Sequence, residues 1–572
     1  MFDSSSFTSV AAASSVNDII PPDLFHSTGI NMPALLFLIA IYLAATIALA
    51  WYGYRKTKNA ADYMVAGRKT NSLVMAISYG ATFISTSAII GFGGVAAAYG
   101  MGMLWLAFLN ILVGIIIAFL VFGPIMRRMG QFLHASTFPE FIGKRFESRG
   151  LQSWLGIFIA VTMPLYAASV LIGSARFIET TLGLDYKAAL IIFTILVAAY
   201  VIVGGMISVL YTDAFQGIIM FVGMFLLLVL TYVKLGGVIE AHTALSNMAS
   251  LVPANLVAIG HQGWTSMPVF GSQLWWTMVS SLILGVGIGI IAQPQLAVRF
   301  MMVKDKKTLK RAVLAGGPFI FMMAGVAYIV GPLSNVFFYN TTGKVAIDAV
   351  GGNLDAIIPV YINSALPEIF VLIFMLSLLS AAMSTAGSQF HTMGTAVGYD
   401  LVRNGIFKGK SVHTILFTRI GIIVTIIVAV ILAFYLPGSI IARATAIFMG
   451  MCTAAFLPMY AGALFWKRMT KAGAYASFAV GFLASILWYV FVHVAESGPI
   501  GICEALFGVS TLIPSMAYVD PILIATPLSI IVAIVVSLMT KPPSQKMVDD
   551  LFKKEEETTA TTTVDGVVAE SA

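Results

Sequence analysis

The chain has 572 residues, 59% of them apolar and only 10% charged, with a formal net charge of +7. Ordinary soluble domains carry roughly 25% charged residues, and a soluble core must be wrapped in polar side chains. This composition therefore excludes a globular protein and points to a chain whose solvent is mostly lipid.

Residues 1–31 are Ser/Ala-rich, with no Lys, no Arg and no continuous apolar core, so they read as a loosely ordered segment and not as a secretory signal peptide. Apolar runs near twenty residues long follow, as membrane-spanning helices require. They lie at about 33–54, 72–98, 102–126, 152–178, 186–204, 214–235, 274–297, 312–338, 368–393, 414–435, 440–465, 472–494 and 520–540. The runs are continuous rather than alternating, which excludes a membrane β-barrel. Between spans 7 and 8, Val298–Arg311 reads as an amphipathic cytoplasmic helix, and Asn340-Thr341-Thr342 is an outward sequon. Residues 541–572, with KKEEETTATTT, read as a polar cytoplasmic tail. Neither end holds a domain, and no G-x-x-x-x-G-K-[ST] loop is present, so ATP-driven transport within the chain is not expected. Cys452 and Cys503 suggest neither a disulfide framework nor a metal site.

Basic residues set the orientation. Of the 32 Lys and Arg, 27 fall in the odd-numbered connections and the tail, in clusters such as Arg55–Lys58, Lys144–Arg149 and Lys304–Arg311. The opposite side has only Arg176, Lys187, Lys234, Lys344 and Arg443. This predicts an outer N-terminus, a cytoplasmic C-terminus and an odd number of crossings in the cell membrane. The net charge is then a topology signal and not a nucleic-acid patch.

Three spans break the apolar rule. A lone Ser or Thr in a membrane helix usually bonds a carbonyl one turn back. Span 2 instead clusters Ser78-Tyr79-Gly80-Ala81-Thr82-Phe83-Ile84-Ser85-Thr86-Ser87 ahead of Gly91, Gly93 and Gly94. Such a stretch can unwind and expose carbonyls, or pack closely through its small residues. Span 7 has alternate glycines, Gly285, Gly287 and Gly289, and then Gln293-Pro294. Spans 2 and 7 each open a block of five crossings, and five is odd, so the second block lies inverted. Interrupted helices at matching places in inverted halves point to a transport site at the midplane. Span 9 places Ser384, Thr385 and Ser388 on one broad polar face. Sodium stripped of water can be held by neutral carbonyls and hydroxyls. The middles of the spans lack Asp, Glu and His, the residues of proton relays, which favours a sodium couple. Asp213, at the predicted start of span 6, reads equally as an N-cap carboxylate.

These segments resemble the sodium/solute symporter family. The matching motifs are Asp62-Tyr63-Met64-Val65-Ala66-Gly67-Arg68, Gly204-Gly205-Met206 with Thr212-Asp213 and Gln216, Gln293-Pro294 with Arg299-Phe300-Met301, and Ala381-Ala382-Met383-Ser384-Thr385. The resemblance implies an all-α membrane fold of about 13 transmembrane helices with an inverted five-plus-five, LeuT-like core. Span 1 would cover 32–54, the two repeats 72–235 and 274–465, and added helices 472–540. It also implies a sodium site made by backbone oxygens of Ala81, Ile84 and Ala381 with hydroxyls of Ser384 and Thr385. Asp213 and Ser388 match a second-sodium or coupling position, where Gly387 stands in place of a hydroxyl. Substrate candidates are Ser85, Thr86, Ser87, Ser280 and Ser281, in a pocket between helices 2, 4, 7, 9 and 11. The family's proline carriers read G-W-G-L-G-Y in helix 7, where this chain has Val286 and Ile290, and place an Asp where it has Phe83. The cargo thus stays open between an amino acid such as proline and a monocarboxylate.

The expected function is sodium-coupled uptake of a small organic solute by alternating access, with no cofactor and no obligate protein partner. A transporter-fold sensor is the alternative. A membrane enzyme would need a nucleophile, base or metal cluster at membrane depth, and the sequence shows none.

Overall fold

In the computed structural model the described residues are 32–68, 70–408 and 413–552, and regular structure among them is helical apart from one isolated bridge, Thr70 to Val303. The 1–31 segment, Lys69, Lys410 and the tail beyond 552 lie outside the described residues.

Among the described residues, eleven continuous helices are long and apolar enough to cross a bilayer. Ser72–Phe83 with Ser87–Tyr99 add a twelfth as one span bent by 54°. One of the eleven, Tyr186–Lys234, has 49 residues. At 1.5 Å per residue it would be about 73 Å long, more than twice the ~30 Å hydrocarbon thickness. It is two spans joined at Gly205, whose φ of 62° and ψ of −164° are not helical. A Cβ there would meet the Tyr63 ring at 2.5 Å, so both conformation and space require glycine. Among the described residues the crossings thus number thirteen: α1 (Met32–Lys56), α2 (Ser72–Phe83 and Ser87–Tyr99), α3 (Met101–Phe132), α4 (Arg149–Leu182), α5 (186–204), α6 (206–234), α7 (Gln273–Ala292), α8 (Lys306–Thr342), α9 (Glu368–Ile406), α10 (Thr414–Tyr435), α11 (Ile441–Phe465), α12 (Lys471–Phe491) and α13 (Ile522–Met539).

Both expected interruptions are present, at specific residues. In α2, Ile84 turns extended (ψ 106°) and ends the first half, whose last captured carbonyl is Gly80, bonded by Ile84 N at 2.9 Å. Ser85 then accepts Ser87 N on its hydroxyl (3.1 Å) and starts the second half. After α7 the break falls at Gln293 (ψ 123°), because the residue before a proline avoids the helical region. Pro294 opens a short helix, Pro294–Phe300. The α7 glycines serve close packing: a Cβ on Gly289 would sit 2.6 Å from Met449 O, and one on Gly287 would sit 2.7 Å from Leu109 Cβ.

Burial separates centre from rim. In α4, α9 and α11, 78% of the apolar stretch is buried in protein, against 22% in α1, 33% in α10 and α12, and 28% in α13. The central helices hold the interrupted α2 between them, and the added helices face lipid.

Three sequence expectations are corrected. Val298–Arg311 is not one amphipathic helix: Val298 belongs to buried Pro294–Phe300, while Lys306–Arg311 begins α8. Asp213 is not an N-cap, since helix resumes directly after Gly205 and carries it into the interior of α6. Span 9 does not stop near 393: α9 continues, partly as π-helix, to Ile406, so His391 and Asp400 lie within it.

Candidate functional site

The break in α2 frees the carbonyls of Ala81 and Thr82 from their usual helical donors. Hydroxyls of α9 reach them. Ser384 Oγ lies 2.8 Å from Ala81 O and 3.2 Å from Ala381 O, and Thr385 Oγ1 lies 2.9 Å from Thr82 O. Ala81, Ile84, Ala381, Ser384 and Thr385 are all fully buried. A hydroxyl oxygen keeps two lone pairs beside its one proton. Ser384 can therefore give its proton to Ala381 O and turn a lone pair, beside Ala81 O, toward a cation. The structure brings Ala81, Ala381 and Ser384 into direct contact. Thr385 pairs with Thr82, which the sequence places in the hydroxyl cluster of span 2 but not in the expected sodium set.

One turn along, a second cluster joins four segments. Asp213 Oδ2 of α6 accepts from Ser78 Oγ (3.2 Å) and Thr82 Oγ1 (2.9 Å) of α2, and from Arg299 Nη2 (2.8 Å). Arg299 also bonds Ser78, Thr82 and Ser388, and Thr82 Oγ1 lies 3.1 Å from Ser388 Oγ. Asp213 and Arg299 are both fully buried. Sequence reasoning had counted Arg299 as a cytoplasmic topology charge. It is the centre of this network, and the signal was its place in the Gln293-Pro294…Arg299 motif. Arg145, counted in the same way, is buried with Nε 3.1 Å from Ala463 O at the end of α11. Asp213 and Ser388 are thus brought together, with a guanidinium already between them. Position 387 has no room for a hydroxyl: a Cβ on Gly387 would overlap the Tyr200 hydroxyl, which bonds Met383 O at 2.5 Å.

A small cavity, with room for about one water molecule, lies directly beside the α2 break. Ile84 and Ser85 of α2, Asn110 of α3, Tyr166 of α4, Val286 of α7 and Thr445 of α11 are among its walls. Helices α3 and α8 line it in place of the expected α9. Of the substrate candidates, only Ser85 faces it. Thr86 Oγ1 bonds Val170 O (2.9 Å), and Ser87 Oγ pairs with Ser169 Oγ (2.9 Å), both across to α4. Ser280 Oγ takes Asp520 N (3.0 Å) beside α13, and Ser281 lies in the same α7 turn, outside the cavity walls. Asn110, unnamed from sequence, is 1% exposed, and its Oδ1 has no hydrogen-bond partner. Within an apolar span, a lone amide was its sequence signal.

The sodium:solute symporter family profile matches residues 63–481. The chain belongs to that family. It is 29% identical over 513 residues to the osmoregulated proline transporter OpuE of Bacillus subtilis, covering 89% of this chain and 95% of that one. It is 27% identical over 518 residues to the sodium/proline symporter of Staphylococcus aureus, covering 88% and 93%. Its fold matches the substrate-bound, outward-open structure of a Na⁺-coupled sialic acid symporter with a TM-score of 0.67 at 18% identity, over 90% of this chain and 98% of that one. The fold is LeuT-like, and the chain is a multi-pass membrane symporter, not an enzyme, that couples sodium to the movement of a small solute.

Proposed function

We propose that the cargo is a small zwitterionic amino acid, proline or a close analogue, carried inward with sodium. The observation that carries this reading is the unpartnered Asn110 Oδ1 in the wall of the cavity beside the α2 break. A buried carbonyl oxygen without a donor is costly, and a substrate ammonium supplies one. Among the described residues the cavity walls hold no charged side chain, which suits a solute of zero net charge. Relatives of near full-length coverage bear the name of proline carriers. Sodium would lie between the carbonyls of Ala81, Ile84 and Ala381 and the hydroxyls of Ser384 and Thr385, while Asp213 and Ser388 act through Arg299 to hold α2 against α9. The basic-residue bias supports an outer N-terminus and a cytoplasmic C-terminus. Residues 72–235 and 274–465 would be the two inverted halves that rock about the site.

Phe83 favours one second reading. It lines the cavity where the family's proline carriers place an Asp, so a monocarboxylate would meet no repelling charge. Uptake of labelled proline into proteoliposomes, in sodium or potassium at fixed pH, separates the two when challenged with other amino acids and with monocarboxylates. Proline uptake is expected to need sodium. Asn110→Leu is expected to weaken its apparent affinity roughly 10- to 100-fold, as loss of a hydrogen bond to a charged group does. Absence of sodium-dependent proline uptake, with sodium-dependent uptake of a labelled monocarboxylate, would overturn the amino-acid reading. Ser384→Ala and Thr385→Ala should each raise the half-saturating sodium concentration, and unchanged activation would reject that site.

A further inference from the structure

The polar face of α9 continues well past Ser384 and Thr385. It recurs at Ser388, His391, Thr392, Thr395 and Asp400, with the three- and four-residue steps of one helix face. The five-residue step from Thr395 to Asp400 enters the π-helical stretch Ala396–Ile406, where the i→i+5 pattern lengthens each turn. Ser384 to Thr395 alone is about 16 Å along the axis at 1.5 Å per residue. The far end of this stripe opens on a second small cavity, walled by His391, Thr392, Thr395 and Asp400 of α9 with Thr137 and Pro294 among the residues opposite.

Asp400 is fully buried in that wall. Its Oδ1 accepts from Thr137 Oγ1 at 2.7 Å and Gln152 Nε2 at 2.6 Å, which fixes the carboxyl plane. Its Oδ2 has no partner, and among the described residues no Lys, Arg or His pairs with it. The neighbouring Glu140 is already engaged, by Lys144 at 2.9 Å and by the Tyr399 hydroxyl at 2.8 Å. Asp213 also has an unpartnered oxygen, Oδ1, but its charge is matched by the Arg299 guanidinium, so Asp400 is the buried carboxylate here without a countercharge among the described residues. A buried carboxylate with no countercharge is expensive unless something pairs with it.

We propose that Asp400 is a transient sodium site on the exit path: the ion that leaves Ser384 passes along the α9 stripe and is held at Asp400 Oδ2, beside the Thr395 hydroxyl, before it reaches the cytoplasm. The inference rests on the sodium position and orientation proposed above. Physically, an ion leaving a site of neutral oxygens must cross low-dielectric protein before it meets bulk water. A fixed carboxylate lowers that barrier, and because two neutral donors occupy only one of its oxygens, the ion is not trapped.

The test uses the full chain in proteoliposomes. Net ²²Na⁺ uptake, and exchange of labelled solute under equal saturating sodium on both sides, in which sodium need not leave the carrier, are measured with proline and separately with a monocarboxylate as the driving solute, so the readout does not depend on which is the cargo. Asp400→Asn keeps the Oδ1 acceptor. It is expected to slow net uptake about tenfold, a 1.4 kcal/mol rise in the release barrier, while exchange and the half-saturating outside sodium stay at wild-type values. Asp400→Glu should restore net uptake. Thr395→Val, which leaves the carboxylate and its two hydrogen bonds in place, should slow net uptake in the same direction and covers the case in which Asp400→Asn does not fold. Ser384→Ala, run in parallel, moves the outside sodium dependence, so failure of the Ser384 site is read separately. Equal losses in exchange and net uptake for Asp400→Asn would overturn the proposal. So would wild-type uptake that responds to lumenal pH and not to lumenal sodium, with that response lost in Asp400→Asn, since the group would then hold a proton.

Discussion

Removing Arg299 is the most informative perturbation of the core, because Arg299→Met takes away a charge and leaves Asp213 buried. With charge centres about 4 Å apart, the pair is worth roughly 4 kcal/mol at an effective dielectric of 20. Deleting one partner of a buried pair typically costs about 3–5 kcal/mol, since the other charge is stranded. Asp213 keeps the hydroxyls of Ser78 at 3.2 Å and Thr82 at 2.9 Å, so the expected loss lies near the lower end, about 3 kcal/mol. Asp213→Asn strands the guanidinium, which keeps the oxygens of Ser78, Thr82 and Ser388, and a similar loss is expected. The double variant strands no charge and should lie within about 1–2 kcal/mol of the parent, because a neutral replacement of a buried pair is often tolerated. The assay is reversible unfolding in mixed micelles at fixed sodium, run as a double-mutant cycle. The two single variants also differ in kind: a stranded carboxylate can take up a proton, whereas a guanidinium cannot lose one. The cost of Arg299→Met should therefore shrink as pH falls, and that of Asp213→Asn should not. Additive losses in the double variant, or either single within about 1 kcal/mol of the parent, would refute the reasoning.

Gly205→Ala should destabilise by about 1–3 kcal/mol, the cost of holding a side chain in a backbone region close to glycine-only, aggravated by the Tyr63 ring 2.5 Å from the new Cβ; an unchanged unfolding midpoint would show that the joint between α5 and α6 relaxes freely. In the connection between α12 and α13, burial alone would lower the His493 imidazole, but the Glu496 carboxylate outweighs it and raises it above its ordinary 6.5. Burial pushes Glu496 up, and Arg443, 2.5 Å away, together with His493 brings it below 4.5. The His493 contribution to stability is complete below pH 6.5 and is lost as pH rises through its raised value, while that of Glu496 is complete above 4.5 and is lost as pH falls through its lowered value. The unfolding midpoint should thus decline on the alkaline side of pH 6.5, and His493→Gln should flatten that decline; an unchanged slope in the variant would contradict it.

Span count and repeat logic were legible because lipid punishes exposed backbone, so apolar length and Gly/Pro breaks carry nearly all the information. The interruption of α2 was legible to within a few residues, from the Ser, Thr and Gly that collect there. Arg299 was not. Charge counting treats an arginine between spans as exposed, and only tertiary contact shows that Pro294 turns the chain back inward and carries Arg299 to Asp213. Span 9 was cut short for a related reason. His391, Thr392 and Asp400 lower local hydropathy, yet the helix continues because protein and not lipid surrounds them. The serines were legible as hydroxyls and not as directions: Thr86 and Ser87 turn to α4, and only Ser85 faces the cavity.

Coupling between ion and solute needs a physical link, because a ligand shifts an equilibrium only through its different affinity for the two states. The geometry offers one at Ile84. Its carbonyl belongs to the proposed sodium set, its extended backbone is the α2 break itself, and the residue lines the proposed solute cavity. An ion that holds the 81–84 carbonyls against Ser384 and Thr385 of α9 therefore fixes the same residue that shapes the cavity wall. By linkage, solute that orders that wall must raise sodium affinity by the same factor. The Asp213–Arg299 pair, neutral as a whole and one turn away, would set the register of α2 against α9 without adding net charge to the proposed ion site. A charge imbalance there, as in either single variant, should accordingly shift the half-saturating sodium concentration before it alters solute selectivity.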